Sequence, residues 1–208
     1  DEEARDRYGE DLFISSLAVV EEKEKIRVVH DASNGVEVNH RIKIRDQVRY
    51  PGAGELRTIM RERREAGKPT FALLGDASKA HRRIKILERD WGLQACRLEE
   101  GFLWLNCVGT YGISSAGYWW SRLGACLVRL VHYLVTRRWD PEVLLFADDV
   151  KMLAGSKREI GDLAAVIFVF AALGVPWQLW ESRGSGRNSA EDETWPGSVS
   201  RWTGRATV

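Results

Sequence analysis

At 208 residues, 44% apolar and 29% charged, the chain has an ordinary globular composition, with material for one substantial core or two small ones. A formal net charge of +1 excludes binding nucleic acid by bulk charge alone, and the longest apolar run, Leu163 to Pro176, is too short to span a bilayer. Cys96, Cys107 and Cys126 lack CxxC spacing, which argues against a disulfide framework or zinc site and suits a reducing, intracellular compartment.

Residues 1–24 hold nine Asp/Glu against three Lys/Arg and read as an acidic, partly helical lead-in without a targeting signal, the abrupt opening of a fragment. Lys25 to Ser33 is a β-type run closed by the turn formers Ser33-Asn34-Gly35. Its cations alternate with apolar residues and so share a strand face. That face suits a triphosphate, or simply keeps an edge strand soluble.

Residues 41–68 hold nine Lys/Arg against four acids, a local excess able to neutralise phosphates or to coat a solvated helix. Pro51 to Gly54 breaks the chain, Glu55 to Ala66 is predicted helical, and Gly67 with Pro69 stops it. Phe71 to Asp76 is then an apolar strand that ends in an acid and leads into a short helix. Asp76 there is either a functional carboxylate or a helix N-cap. Gly101 to Val108 is a further strand, and a Gly-punctuated loop from Gly109 to Ala116 opens a helix from about Ser115 to Val135. Ser156 to Leu173 is predicted helical, ended by Gly174 and Pro176. Residues 177–208 show no sustained period and read as an irregular tail.

The chain is organised around Leu144 to Leu153. Two apolar runs flank Asp148 and Asp149, which reads as a strand hairpin with both acids at its tip. Adjacent like charges between buried strands raise at least one pKa and are costly unless a cation compensates; Mg²⁺ is suited to carboxylate oxygens. A solvated polar turn is the competing explanation.

Taken together, these segments resemble the fingers and palm of retroelement reverse transcriptases over roughly residues 25–176. Asp76-Ala77-Ser78-Lys79-Ala80-His81 through Ile86 resembles the family's first palm motif. Tyr111-Gly112-Ile113-Ser114-Ser115-Ala116 resembles the second, and Phe146-Ala147-Asp148-Asp149 the Tyr-X-Asp-Asp motif. Arg27-Val28-Val29-His30-Asp31 is similar to the fingers motif, and the combination looks most like DIRS-type elements.

The resemblance implies an α+β fold with an antiparallel palm sheet backed by helices and partial fingers. Residues 25–69 would be fingers-like and residues 70–176 the palm. It implies template-directed DNA synthesis on an RNA or DNA template with a primer and dNTP, using two Mg²⁺ ions, with Mn²⁺ as a substitute. Asp76 and Asp148 would bind the metals, and Asp149 would assist with charge and hairpin geometry. Arg27 would contact the triphosphate, Tyr111 and Gly112 would line the nucleotide, and Ala80 with His81 would lie beneath its sugar. The alternative is a catalytically inert remnant that binds nucleic acid.

Departures from the family are His81 where Tyr or Phe is usual, Thr110 and Tyr111 in the glycine loop, and no Lys after Leu173-Gly174-Val175-Pro176. Arg201-Trp202-Thr203-Gly204 is the candidate primer-grip segment, and the pattern suggests a truncated or frame-shifted element.

Overall fold

The computed structural model describes residues 2–22 and 25–183. In chain order its elements are α1 (Glu2–Tyr8), β1 (Ile14–Glu22), β2 (Lys25–Asp31), α2 (Val38–Arg41), α3 (Ala53–Glu65), β3 (Phe71–Ala77), β4 (Ala95–Glu99) and β5 (Phe102–Leu105). Then come α4 (Ser114–Val135), β6 (Glu142–Phe146), β7 (Asp149–Ala154), α5 (Lys157–Ala172) and β8 (Trp177–Arg183). They divide into two compact units, each built from two stretches of chain: Asp1–Gln47 with Lys79–Trp120, and Val48–Ser78 with Ser121–Val208. No helix among the described residues is long and apolar enough to cross a membrane.

The first unit carries a four-stranded sheet ordered β2-β1-β4-β5. β1 pairs antiparallel with β2 from Ser16 to Glu22 and parallel with β4 through Ile14 and Ser15. The lead-in is therefore more than helix, because the Ile14–Val20 run finds partners on both sides. β2 is followed by a turn in which the Asp31 carboxylate accepts from the Ser33 and Asn34 amides. This is the local competition with regular structure that makes Asp a turn former. Ala32, Val38 and Ile113 form a small buried cluster beyond that turn.

The second unit holds an antiparallel sheet ordered β6-β7-β3-β8. β3 and β7 sit centrally, and consecutive residues of both are buried, so both faces of these strands are covered. α5 packs on β3 and β7 and buries Ile160, Leu163, Val166, Ile167 and Phe170 at helical spacing. Its start is closed reciprocally: Ser156 Oγ accepts from the Glu159 amide at 3.2 Å, and the Glu159 carboxylate accepts from the Gly155 amide at 2.7 Å. On α4, Gly124 lies against the Leu145 side chain, so the helix approaches β6 where it lacks a Cβ.

The last strand differs from the irregular tail expected after Pro176. Trp177–Arg183 pairs with β3 from Ala77 back to Phe71, because an open edge of an apolar strand is satisfied by any extended segment that follows it. Residues 184–208, including the segment around Trp202, lie outside the described residues.

Candidate active site

Strand register brings the acids together. Asp76 on β3 stands directly opposite Asp149 on β7, Asp149 stands opposite Phe146 on β6, and Asp76 opposite Gln178 on β8. Side chains of directly opposed residues share a sheet face, so Phe146, Asp149, Asp76 and Gln178 form one row across four strands. Asp149 is thus a strand residue. Only Ala147 and Asp148 form the loop, with Ala147 in the left-handed region at φ +51°.

The loop is tethered. The Asp148 carbonyl accepts from the Ala77 amide at 2.9 Å, and the Pro176 carbonyl accepts from the Ser78 amide at 3.0 Å. These bonds tie the end of β3 to the hairpin tip on one side and to the Gly174-Val175-Pro176 turn on the other. Asp76 is consequently no helix N-cap: the short 3₁₀ turn Ala80–Arg83 begins after Lys79.

Opposed like charges destabilise a sheet. Burial pushes the Asp149 carboxyl up to about 7, and the charges of Asp148 and then Asp76 add to that shift. Two residues inward on the same face of β7, Lys151 is buried at 3% exposure. It went unnoticed in the sequence, although its Asp-X-Lys alternation with Asp149 was visible there. On the other flank the Phe146 ring lies 5.3 Å from the ring of Tyr50, whose hydroxyl is hydrogen-bonded to Ser121 Oγ at 2.5 Å.

Among the described residues, no group of three or more His, Cys, Asp or Glu side chains is arranged to hold a metal ion on its own. The donor set is nonetheless all oxygen, and the raised Asp149 proton affinity comes first from burial and then from the neighbouring charges of Asp148 and Asp76. This chemistry fits a hard divalent ion that takes one or two carboxylates and completes its sphere with water and phosphate oxygens, not a closed protein cage.

The five residues tied to the nucleotide by resemblance all belong to the first unit. Three of them cluster around the end of β2. The His30 amide donates to the Tyr111 carbonyl at 2.9 Å, and Gly112, at φ +95°, lies so close to the His30 carbonyl that any Cβ would collide with it. The need for glycine at 112 is therefore met by backbone packing alone. The His81 ring lies 5.2 Å from the Tyr111 ring, and a Cβ on Gly109 would lie 2.5 Å from the His81 carbonyl oxygen. Ala80 is buried, and Arg27 is exposed on β2 opposite Val20.

Asn39 was missed by the sequence reading. Its amide nitrogen donates to the Gly112 carbonyl at 2.7 Å and to Ser33 Oγ at 3.0 Å, and its Oδ1 accepts from the Ser114 amide at 2.9 Å. Arg63 is the other omission. It belongs to the basic segment by sequence, yet it is buried, donating to Glu142, Thr70 Oγ1 and the Pro69 carbonyl.

Compared with known proteins, the chain matches no family model and no curated protein in sequence. Among solved structures it matches a foamy viral protease-reverse transcriptase determined in complex with double-stranded DNA. The TM-score is 0.60 over 80% of this chain at 14% identity. The chain has a reverse-transcriptase-like fold. It spans about a quarter (26%) of the length of that viral chain. In this reverse-transcriptase-like fold the antiparallel sheet of the second unit carries the acid row, and the glycine loop that opens α4 carries the contacts to β2.

Proposed function

We propose that this chain is the fingers and palm of a retrotransposon reverse transcriptase of DIRS-like type, with residues 25–69 fingers-like and residues 70–176 the palm. The observation that carries this reading is the juxtaposition of Asp76 with Asp149, beside Asp148 in a tethered loop, within a reverse-transcriptase-like fold.

Asp76 and Asp148 would hold the Mg²⁺ ions, or Mn²⁺ in their place. When bound, such ions lower the pKa of an attacking oxygen and stabilise charge on a leaving pyrophosphate. The protein's own contribution is to fix two carboxylates from remote stretches on one sheet end, beside the desolvated Asp149 whose proton a bound cation would displace. Tyr50 and Phe146 cover the flank of that row with aromatic surface. The reading assigns Arg27 to the triphosphate of dNTP, Tyr111 and Gly112 to the nucleotide, and Ala80 and His81 to its sugar. The remaining partner is an RNA or DNA template with its primer.

Primer extension with purified protein, Mg²⁺ and dNTPs tests the reading. Asp148→Asn is expected to lower the rate by at least about a hundredfold, and synthesis that continues at the wild-type rate overturns it.

One observation favours a second reading, an inert remnant that binds nucleic acid. Arg57, Arg61, Arg64 and Lys68 are exposed at spacings that place them along one side of α3 and its end. Binding that weakens with salt and is unaccompanied by extension is its signature.

A further inference from the structure

We propose that Asn39 is a positioning residue for the glycine loop, a role that rests on the polymerase reading, in which Tyr111 and Gly112 meet the incoming nucleotide. An asparagine amide has two N–H donors and one carbonyl acceptor, and at Asn39 all three functions are engaged at once. The two N–H groups go to the Gly112 carbonyl and Ser33 Oγ, and the oxygen takes the Ser114 amide, one of the first amides of α4, which has no partner within the helix. One side chain therefore fixes three features: the turn after β2, the carbonyl of the glycine, and the start of the 22-residue helix.

Backbone contacts define the geometry on the other side. The His30 amide holds the Tyr111 carbonyl, and Gly112 abuts the His30 carbonyl, so the loop lies against the end of β2 with no room for adjustment. Asn39 closes the clamp from the opposite direction. Its own amide is bound to the Ala32 carbonyl at 3.0 Å. Val38 and Ile113, the chain neighbours of Asn39 and Gly112, meet Ala32 in one buried cluster. Apolar packing thus anchors the residues that flank both ends of the Asn39–Gly112 bond.

The acid row is held by different bonds, from Ala77 to Asp148 and from Ser78 to Pro176, and Asn39 takes no part in them. Loosening the clamp must therefore act on nucleotide affinity and leave the chemical step alone. Asn39→Ala removes all three bonds, whereas Asn39→Asp keeps an acceptor for the Ser114 amide and loses both donors.

Two measurements on the full chain decide the matter. In steady-state primer extension, both variants are expected to raise KM for dNTP about tenfold, equivalent to about 1.4 kcal/mol, with kcat within about twofold. In hydrogen exchange, the Ser114 amide is expected to lose protection in Asn39→Ala and to keep it in Asn39→Asp. An unchanged KM in both variants, or a fall in kcat at constant KM, overturns the positioning role. If Asn39→Ala does not fold, Asn39→Asp carries the kinetic comparison. Wild-type protein that extends no primer overturns the polymerase reading and this nucleotide role with it. The exchange comparison then still reports on the clamp, which is refuted if Ser114 stays equally protected in Asn39→Ala.

Discussion

At the scale of single residues, Asp149 ties stability to pH. Its carboxyl titrates near 7 in the folded protein, well above an unfolded aspartate at 3.8. The folded state therefore holds a proton that the unfolded state has released between those two values, and this group's contribution to stability is full below about pH 4 and is lost as pH rises through 7. With no divalent ion present, Asp149→Asn is expected to stabilise the protein at pH 7.5 by about 1 kcal/mol, far less than the whole shift because the side chain is partly screened by solvent. The same substitution is expected to have little effect at pH 4.5. Urea denaturation at the two pH values checks both the sign and the window. Gly112 makes a second residue-level prediction: with its left-handed backbone and no space beside the His30 carbonyl, Gly112→Ala should cost about 2–4 kcal/mol, read as a lower denaturation midpoint.

At the scale of elements, α3 has two basic sides with opposite roles. Arg63 is 6% exposed and paired with Glu142 at 2.5 Å, which fastens α3 to β6. Arg63→Ala removes this pair together with the bonds to Thr70 Oγ1 and the Pro69 carbonyl, so it should cost about 3 kcal/mol in denaturation. Arg57, Arg61 and Arg64 are exposed, and replacing all three with Ser should leave stability within about 0.5 kcal/mol. If they meet duplex phosphates, the same triple variant flattens the dependence of log affinity on log salt by about 2.7, as measured by titration across salt concentrations.

The end of α3 was legible from Gly67 and Pro69 and its start to within two residues from the Pro51–Gly54 break, and the extent of α5 from Ser156, Gly174 and Pro176, because helix ends are written in local chemistry. The acid pair of the hairpin was legible too, since charge inside apolar strands has no structural motive. What escaped were long-range arrangements. β1 owes its extended form to partners on β2 and β4, β8 to the open side of β3, and the bonds of Asn39 reach Ser114, 75 positions away. A pattern read along a chain carries no trace of a hydrogen bond over that separation.

At the scale of the whole molecule, a net charge of +1 conceals an acidic start and a basic stretch at 41–68, so counterion and metal effects are local and not global. If Mg²⁺ occupies Asp76 and Asp148 as proposed, it binds only the folded state. At a concentration ten times its dissociation constant it should therefore raise stability by about 1.4 kcal/mol, and a chelator should reverse the gain. Below pH 7, binding should also release a proton from Asp149, detectable by calorimetry in buffers of different ionisation enthalpy. The double variant Asp76→Asn with Asp148→Asn should show neither effect. Finally, the acid row exists only because β3 and β7 are matched residue for residue from Phe71 and Ala154 to Asp76 and Asp149. Deleting one residue within either strand would preserve every motif letter yet rotate its carboxylate to the opposite surface. A single in-frame codon loss would thus dismantle the acid row while leaving the Phe-Ala-Asp-Asp signature intact.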